Sequence, residues 1–161
     1  MTHHKSRTGP ITLLCPCDGF HHYSEPIREF EKRLSKQVTL VKLKPSKKRT
    51  PQTIVNEETT KVIAALASYT SAMKIVLTPE GKQYSTADFV KLLEKCKMHA
   101  GHIVYIAGGS YGLEYDRLRS HIDVELSLGL MTFPHAQAVL ILLEQIYRAE
   151  MITKGSGYHH S

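Results

Sequence analysis

Cysteine is scarce in this chain, and its placement excludes several chemistries. Only Cys15, Cys17 and Cys96 occur. An odd, small number argues against a disulfide framework, so packing alone has to hold the core. "CPC" (Cys15, Pro16, Cys17) is not CxxC, and no second pair supplies the other ligands of a metal site. The plainer reading is that Cys15 ends a buried strand, and no metal is expected. Long apolar runs are missing too. Nothing reaches the roughly 18 residues that a membrane span needs. The opening "MTHHKSRTGP" has no apolar stretch behind its basic residues, so it reads as a polar lead-in over residues 1–10 and not as a secretory signal. The expectation is a cytoplasmic protein. GxGxxG spacing and a Walker A loop are both absent, which disfavours an ordinary dinucleotide site. No Ser-His-Asp arrangement has sequence support.

What is present fits a globular protein. Hydrophobic residues make up 42% and charged residues 22% of 161 positions. That length predicts one domain, 1–161, burying roughly 70% of the unfolded chain's surface. The formal net charge is +6, and "KLKPSKKR" (Lys42 to Arg49) concentrates it. A basic surface favours polyanions, nucleic acid above all. By itself such a Lys-rich, Pro-broken run is more often just a solvated loop.

Apolar patterning organises the rest. "ITLLC" (Ile11 to Cys15), "VTLVKL" (Val38 to Leu43), "MKIVLT" (Met73 to Thr78), "HIVYIA" (His102 to Ala107) and "VELSL" (Val124 to Leu128) read as strands. Pro79 and Gly81 are expected to stop the third. Between them lie helical patterns. "SEPIREFEKRL" has Ser24 as its expected N-cap. "TIVNEETTKVIAALASY" carries an apolar stripe of Ile54, Val55, Val62, Ile63 and Leu66. "STADFVKLLEKCKMH" opens with a capping-box-like Ser85-to-Asp88 spacing and closes at Gly101. "LEYDRLRSH" is a short helix, and "HAQAVLILLEQIYRAEMIT" the longest. Alternating strands and helices predict an α/β domain with a mainly parallel sheet and helices on both faces.

Parallel sheets bind ligands at the carboxyl ends of their strands. "LTPEG", "AGGSYG" and "LGLMTFPH" sit there. A Gly-Gly turn alone is weak evidence. The apolar loop ending in Phe133 has two readings: a buried core loop, or a cover for something flat and partly apolar such as an adenine ring. His135, His159 and His160 are possible acid–base groups, although a lone His at a helix start, as His135 is, is more often a cap or a packed residue. Arg148 suits the helix dipole late in the last helix.

Taken together, "AGGSYG", "SLGLMTFPHA", "LLEQIYRAEMI" and the closing "GYHHS" resemble the RlmH family, bacterial SPOUT-class methyltransferases that modify N3 of a pseudouridine in 23S ribosomal RNA. The likeness runs from about Ile11 to His160. It implies an α/β-knot, in which the last helix threads a loop into a C-terminal trefoil knot. It implies S-adenosylmethionine (AdoMet) as cofactor, a homodimer joined through the last helices, and a substrate in the 70S ribosome. Family cofactor contacts fall on Leu77, Gly108, Leu128, Gly129, Leu130, Met131, Thr132 and Phe133. The catalytic positions fall on His159 as general base, with Tyr158 and Arg148 on the RNA side. Gly155 and Gly157 would end the last helix and let Tyr158 and His159 swing over the pocket. His160 has no assigned role.

Two positions depart from the family. Relatives usually carry arginine where this chain has Val139, and a Gly-Lys pair where it has Cys17-Asp18. Both changes remove positive charge and bear on RNA docking or dimer contacts. They keep two alternatives open: a SPOUT methyltransferase with another RNA target, or a non-catalytic ribosome- or RNA-binding protein on the same scaffold.

Overall fold

The computed structural model describes residues 10–157. Five strands form one sheet: β1 (Ile11–Pro16), β2 (Val38–Leu43), β3 (Met73–Gln83), β4 (Ile103–Ile106) and β5 (Val124–Ser127), in the order β2-β1-β4-β3-β5. Every neighbouring pair is parallel. The helices are α1 (Ser24–Arg33), α2 (Pro51–Leu66), α3 (Thr86–Ala100), the one-turn α4 (Tyr115–Leu118) and α5 (His135–Thr153). Among the described residues, no helix is long and apolar enough to cross a membrane.

Strand side chains alternate between faces, and this splits the interior in two. Ile11, Leu13 and Cys15, Ile75 and Leu77, and Ile103 and Tyr105 pack beneath α1, α3 and α5. Leu14, Val76, Val104 and Ile106 face the other way, onto Val62 and Leu66 of α2 and Leu118 of α4. With both faces covered, the strands are near-continuous apolar runs, as parallel sheets require. The expected helices-on-both-faces architecture is therefore observed.

α5 is fastened on both sides. Lys97 of α3 pairs with the buried Glu150, Thr86 Oγ1 donates to Gln145 Oε1 at 3.1 Å, and Thr153 Oγ1 donates to Glu94 Oε1 at 3.0 Å. On the α1 side the rings of Phe30 and Tyr147 lie 5.8 Å apart. The end of α5 is a Schellman motif: Gly155 has φ 70°, its N–H donates to the Ile152 carbonyl, and that of Ser156 donates to Met151. Gly155 thus ends the last helix as expected, and Gly101 (φ 66°) ends α3.

Two local expectations are corrected. Ser24 is not the N-cap of α1. A 3-10 turn, His21–Tyr23, runs into the helix, and Ser24 is already helical. Ser85, in contrast, does cap α3, accepting from the Asp88 N–H. Nor does β3 stop at Pro79. It continues to Gln83 through a register shift, in which Leu77 and Lys82 both pair with Leu126. Pro79 lies in the bulged segment, where no ladder bond is owed to its missing N–H. At Gly81 a Cβ would stand 2.6 Å from the Glu125 carbonyl carbon, so only glycine lets the strand re-pair.

Candidate functional site

The carboxyl ends of β3, β4 and β5 converge on a cleft of about 370 Å³. Three chain segments wall it, one from the bulge within β3 and one after each of β4 and β5. Leu77, Thr78 and Pro79 come from the β3 bulge. Ala107 to Gly112 follow β4. Leu128, Gly129, Met131, Thr132 and Phe133 lie in the loop between β5 and α5. Tyr115, His135 and Ala138 complete the wall.

The β4 turn is built on glycine because it folds back against itself. A Cβ on Gly108 would meet Gly112 Cα at 3.0 Å. Gly112 has φ 76°, and its N–H donates to the Gly109 carbonyl at 3.1 Å. Beneath the turn, the Cys15 thiol donates to the Gly108 carbonyl at 3.6 Å. Cys15 is fully buried at the end of β1, as the plainer reading of "CPC" expects.

α2 supports the same turn with two polar side chains that its apolar stripe does not announce. Glu58 is 3% exposed and Thr59 fully buried. Thr59 Oγ1 accepts from the Glu114 N–H at 2.9 Å. Glu58 Oε1 accepts from the Ser46 N–H at 3.0 Å, while Oε2 is buried with no partner among the described residues. Burial pushes the Glu58 carboxyl above its usual range, against the opposing pull of the Ser46 N–H. Sequence reasoning missed both residues. The available signal was that 58 and 59 fall between Ile54/Val55 and Val62 at helical spacing, on the face that turns inward.

The β5–α5 loop is held by Ser127, whose hydroxyl donates to the Gly129 carbonyl and accepts from the Gly129 N–H. Phe133 then packs over Gly129, its ring 3.6 Å from where a Cβ would stand. Leu128 and Phe133 are half-buried, and Met131 is 78% exposed. The loop is therefore an apolar rim on the cleft and not interior core, against the buried-loop reading of "LGLMTFPH". His135 opens α5 at the cleft wall, and its Nε2 is buried without a hydrogen-bond partner among the described residues. Tyr115 stands opposite. Burial pushes its phenol up, so it stays a protonated donor.

Of the residues expected to hold a cofactor, Leu77, Gly108, Leu128, Gly129, Met131, Thr132 and Phe133 line this one cleft. Leu130 does not line it; its side chain is 81% exposed beside the rim. Tyr115 and Ala138 were not anticipated, whereas Thr78 falls within the expected "LTPEG" segment. Arg148 is absent from the wall. It lies on α5, where Nε donates to Glu144 Oε1 at 3.0 Å. Ten residues separate it from Ala138, about 15 Å along a helix rising 1.5 Å per residue. Tyr158, His159 and His160 lie outside the described residues, as does most of the expected polar lead-in. Val139 is fully buried within the α1–α3–α5 core; Cys17 is buried and Asp18 exposed just past β1.

A family model described as predicted SPOUT methyltransferase matches residues 17–159. A protein named ribosomal RNA large subunit methyltransferase H from Leuconostoc citreum is 33% identical over 148 residues, covering 86% of this chain and 91% of its own length. One of the same name from Streptococcus pyogenes is 34% identical over 159 residues, covering 92% and 98%. Among solved structures, a methylase family protein from Haemophilus influenzae aligns with a TM-score of 0.55 at 14% identity, over 96% of this chain and 72% of that one. Another from Neisseria gonorrhoeae aligns with a TM-score of 0.51 at 12% identity, over 88% and 83%. These two likenesses concern the fold.

Proposed function

The chain belongs to the SPOUT methyltransferases, in the family of the ribosomal RNA large subunit methyltransferase H proteins, and from that premise we propose that it methylates N3 of a pseudouridine in 23S rRNA. The donor in this reading is AdoMet, the substrate is the 70S ribosome, and the enzyme works as a cytoplasmic homodimer of single-domain chains with a C-terminal trefoil knot.

The observation that carries the reading is the convergence of three strand-end segments on one cleft with an apolar rim and a glycine floor. Those features fit an adenosyl group. Leu77, Leu128 and Phe133 offer apolar faces to a base, and Met131, Thr132 and the neighbouring Leu130 close the rim. Gly108 and Gly129 let backbone groups come close to a ligand. His135, which lines the wall, carries a buried Nε2 that has no hydrogen-bond partner among the described residues. AdoMet supplies an activated methyl group on a sulfonium centre.

The protein's work is then position and proton transfer. His159 takes the imide proton from N3, a task suited to a group titrating near neutrality. Arg148 meets the developing imidate oxygen or an adjoining phosphate. Tyr158 stacks on or hydrogen-bonds the base.

Chain length argues that these three serve the partner's cleft. Thr153, the last residue of α5, lies about 22 Å along the helix from Ala138. The helix-ending turn already engages Lys154 to Ser156, and the three residues from 157 to 159, fully extended, span at most about 11 Å. A tail from the partner subunit avoids this reach. Half-buried Ile141, Arg148 and Met151 form a stripe on α5 suited to such a contact.

The test is mass spectrometry of 23S rRNA from a strain lacking the gene, before and after incubating its ribosomes with the purified protein and AdoMet. Gain of a methyl group on one pseudouridine is expected; rRNA identical with and without the gene overturns the reading.

A further inference from the structure

A second concavity adjoins the cofactor cleft. It measures about 330 Å³ and is walled by Lys44, Pro45, Lys47, Lys48, Glu57 and Lys61. Its one acid is already engaged: Lys61 Nζ lies 3.0 Å from Glu57 Oε1. Lys44, Lys47 and Lys48 are exposed and make no ion pair among the described residues. Four lysines against one glutamate leave the concavity strongly positive.

This loop is built, not merely solvated. The Ser46 N–H donates to Glu58 Oε1 at 3.0 Å, the Lys48 N–H to Ser46 Oγ at 3.1 Å, and Lys61 Nζ to the Lys44 carbonyl at 3.0 Å. At its far end Thr50 caps α2 and Pro51 takes the first helical position. A loop so tied loses little freedom on binding.

Its position matters as much as its charge. The loop leaves the carboxyl end of β2, so it stands at the same edge of the sheet as the cleft. β2 is two strands from β4, about 10 Å at the usual spacing of parallel neighbours. One carboxyl group bridges the two sites. Glu58 Oε1 holds Ser46 of the loop, and Oε2 lies against Gly109 of the cleft's turn. RNA carries a phosphate at every nucleotide, so a strand that presents a base to the cleft lays neighbouring phosphates some 10 Å away.

We infer that Lys44, Lys47 and Lys48 form a binding site for backbone phosphates of the RNA strand whose base enters the cleft. The inference rests on the rRNA methyltransferase reading. Lysines are mobile point charges without a fixed fork, so the site positions the strand and reads no sequence.

The experiment measures binding of a fluorescently labelled single-stranded RNA by anisotropy across a salt series, for the native chain and for Lys47→Ala/Lys48→Ala. Each phosphate contact contributes about 0.7 to the slope of log affinity against log salt for a single strand. The double variant should lose about 1.4 in slope, and bind about 25-fold more weakly near 0.1 M salt. Lys47→Arg/Lys48→Arg should restore both. AdoMet titration should be the same for all three proteins, which separates a lost phosphate site from a damaged fold. Equal slopes for native and alanine variant overturn the proposal. So does saturation of the site by inorganic phosphate alone at concentrations where RNA fails to displace it. Methylation of ribosomes is assayed separately. If the native chain methylates no rRNA while the slopes still diverge, the methyltransferase reading falls and the phosphate site stands.

Discussion

A carboxylate oxygen of Glu58 occupies the place where any side chain on Gly109 would have to stand. A Cβ built on Gly109 meets Glu58 Oε2 at 2.5 Å and the Pro16 carbonyl oxygen at 2.9 Å. Glycine here is a matter of space, since Gly109 is not among the residues with positive φ. The contact ties α2, the end of β1 and the turn after β4 into one support beneath the cleft.

Gly109→Ala should therefore destabilise the chain by about 1–3 kcal/mol, the usual cost of forcing extra volume into packed surroundings. Thermal unfolding should show a fall of several degrees, together with weakened AdoMet binding. Gly19→Ala is the control. Nothing lies within 4 Å of its Cβ, so its stability should stay within about 0.5 kcal/mol of native. An unaltered melting temperature for Gly109→Ala would refute the steric account.

Glu58→Gln should remove a pH dependence. Burial holds the Glu58 carboxyl above its ordinary range. Between the unfolded and folded values, the folded state keeps a proton that the unfolded state has lost. Stability from this group is thus fully present below the unfolded value and declines as pH rises through the folded one. Glutamine cannot titrate. Denaturant unfolding from pH 4.5 to 8 should show the variant gaining on the native chain as pH increases. A constant difference across that range would contradict the assignment.

Deleting residues 158–161, or replacing His159 by Ala, should spare folding and AdoMet binding and remove methyl transfer. General-base catalysis is commonly worth about 10²–10⁴ in rate, so single-turnover assays on ribosomes should register a loss of that order. Unchanged rates for His159→Ala at every pH would exclude it as the base.

A tail too short to reach its own cleft predicts complementation between subunits. One inactive parent carries a blocked cleft, such as Gly108→Val, which would press on Gly112. The other lacks residues 158–161. Mixed dimers pair an intact cleft with an intact tail from the other chain, so mixing and exchange should restore activity to two inactive parents. Activity that stays absent in verified mixed dimers would place each tail on its own cleft.

Much of the fold was legible because it rests on local periodicities. The five strand positions followed from apolar runs, and Ser85 and Gly101 marked the ends of α3 by capping chemistry. Ser24 misled because an N-cap needs extended backbone, and the preceding 3-10 turn had already set helical geometry. Pro79 misled because a missing N–H stops a strand only where a ladder bond is needed, and the β3 bulge opposite β5 removes that need. Within the cleft, the loop residues were readable as strand-end segments and through family motifs. Tyr115, Thr59 and Glu58 were not: Glu58 and Thr59 reach the turn from α2, far away along the chain, and Tyr115 lies on the one-turn helix that follows the turn.

Order and alternation along the chain are enough to dictate a parallel α/β sheet covered on both faces, because each element must bury its own apolar side. The sequence also concentrates its positive charge in the Lys42–Arg49 segment. Whether those lysines line a cavity, and whether that cavity adjoins the cleft, depended on where α2 delivers Glu58. That is a contact between Ser46, Glu58 and Gly109, residues up to 63 positions apart. No local pattern encodes such a contact; only packing in three dimensions brings the loop, the helix and the turn onto one carboxyl group.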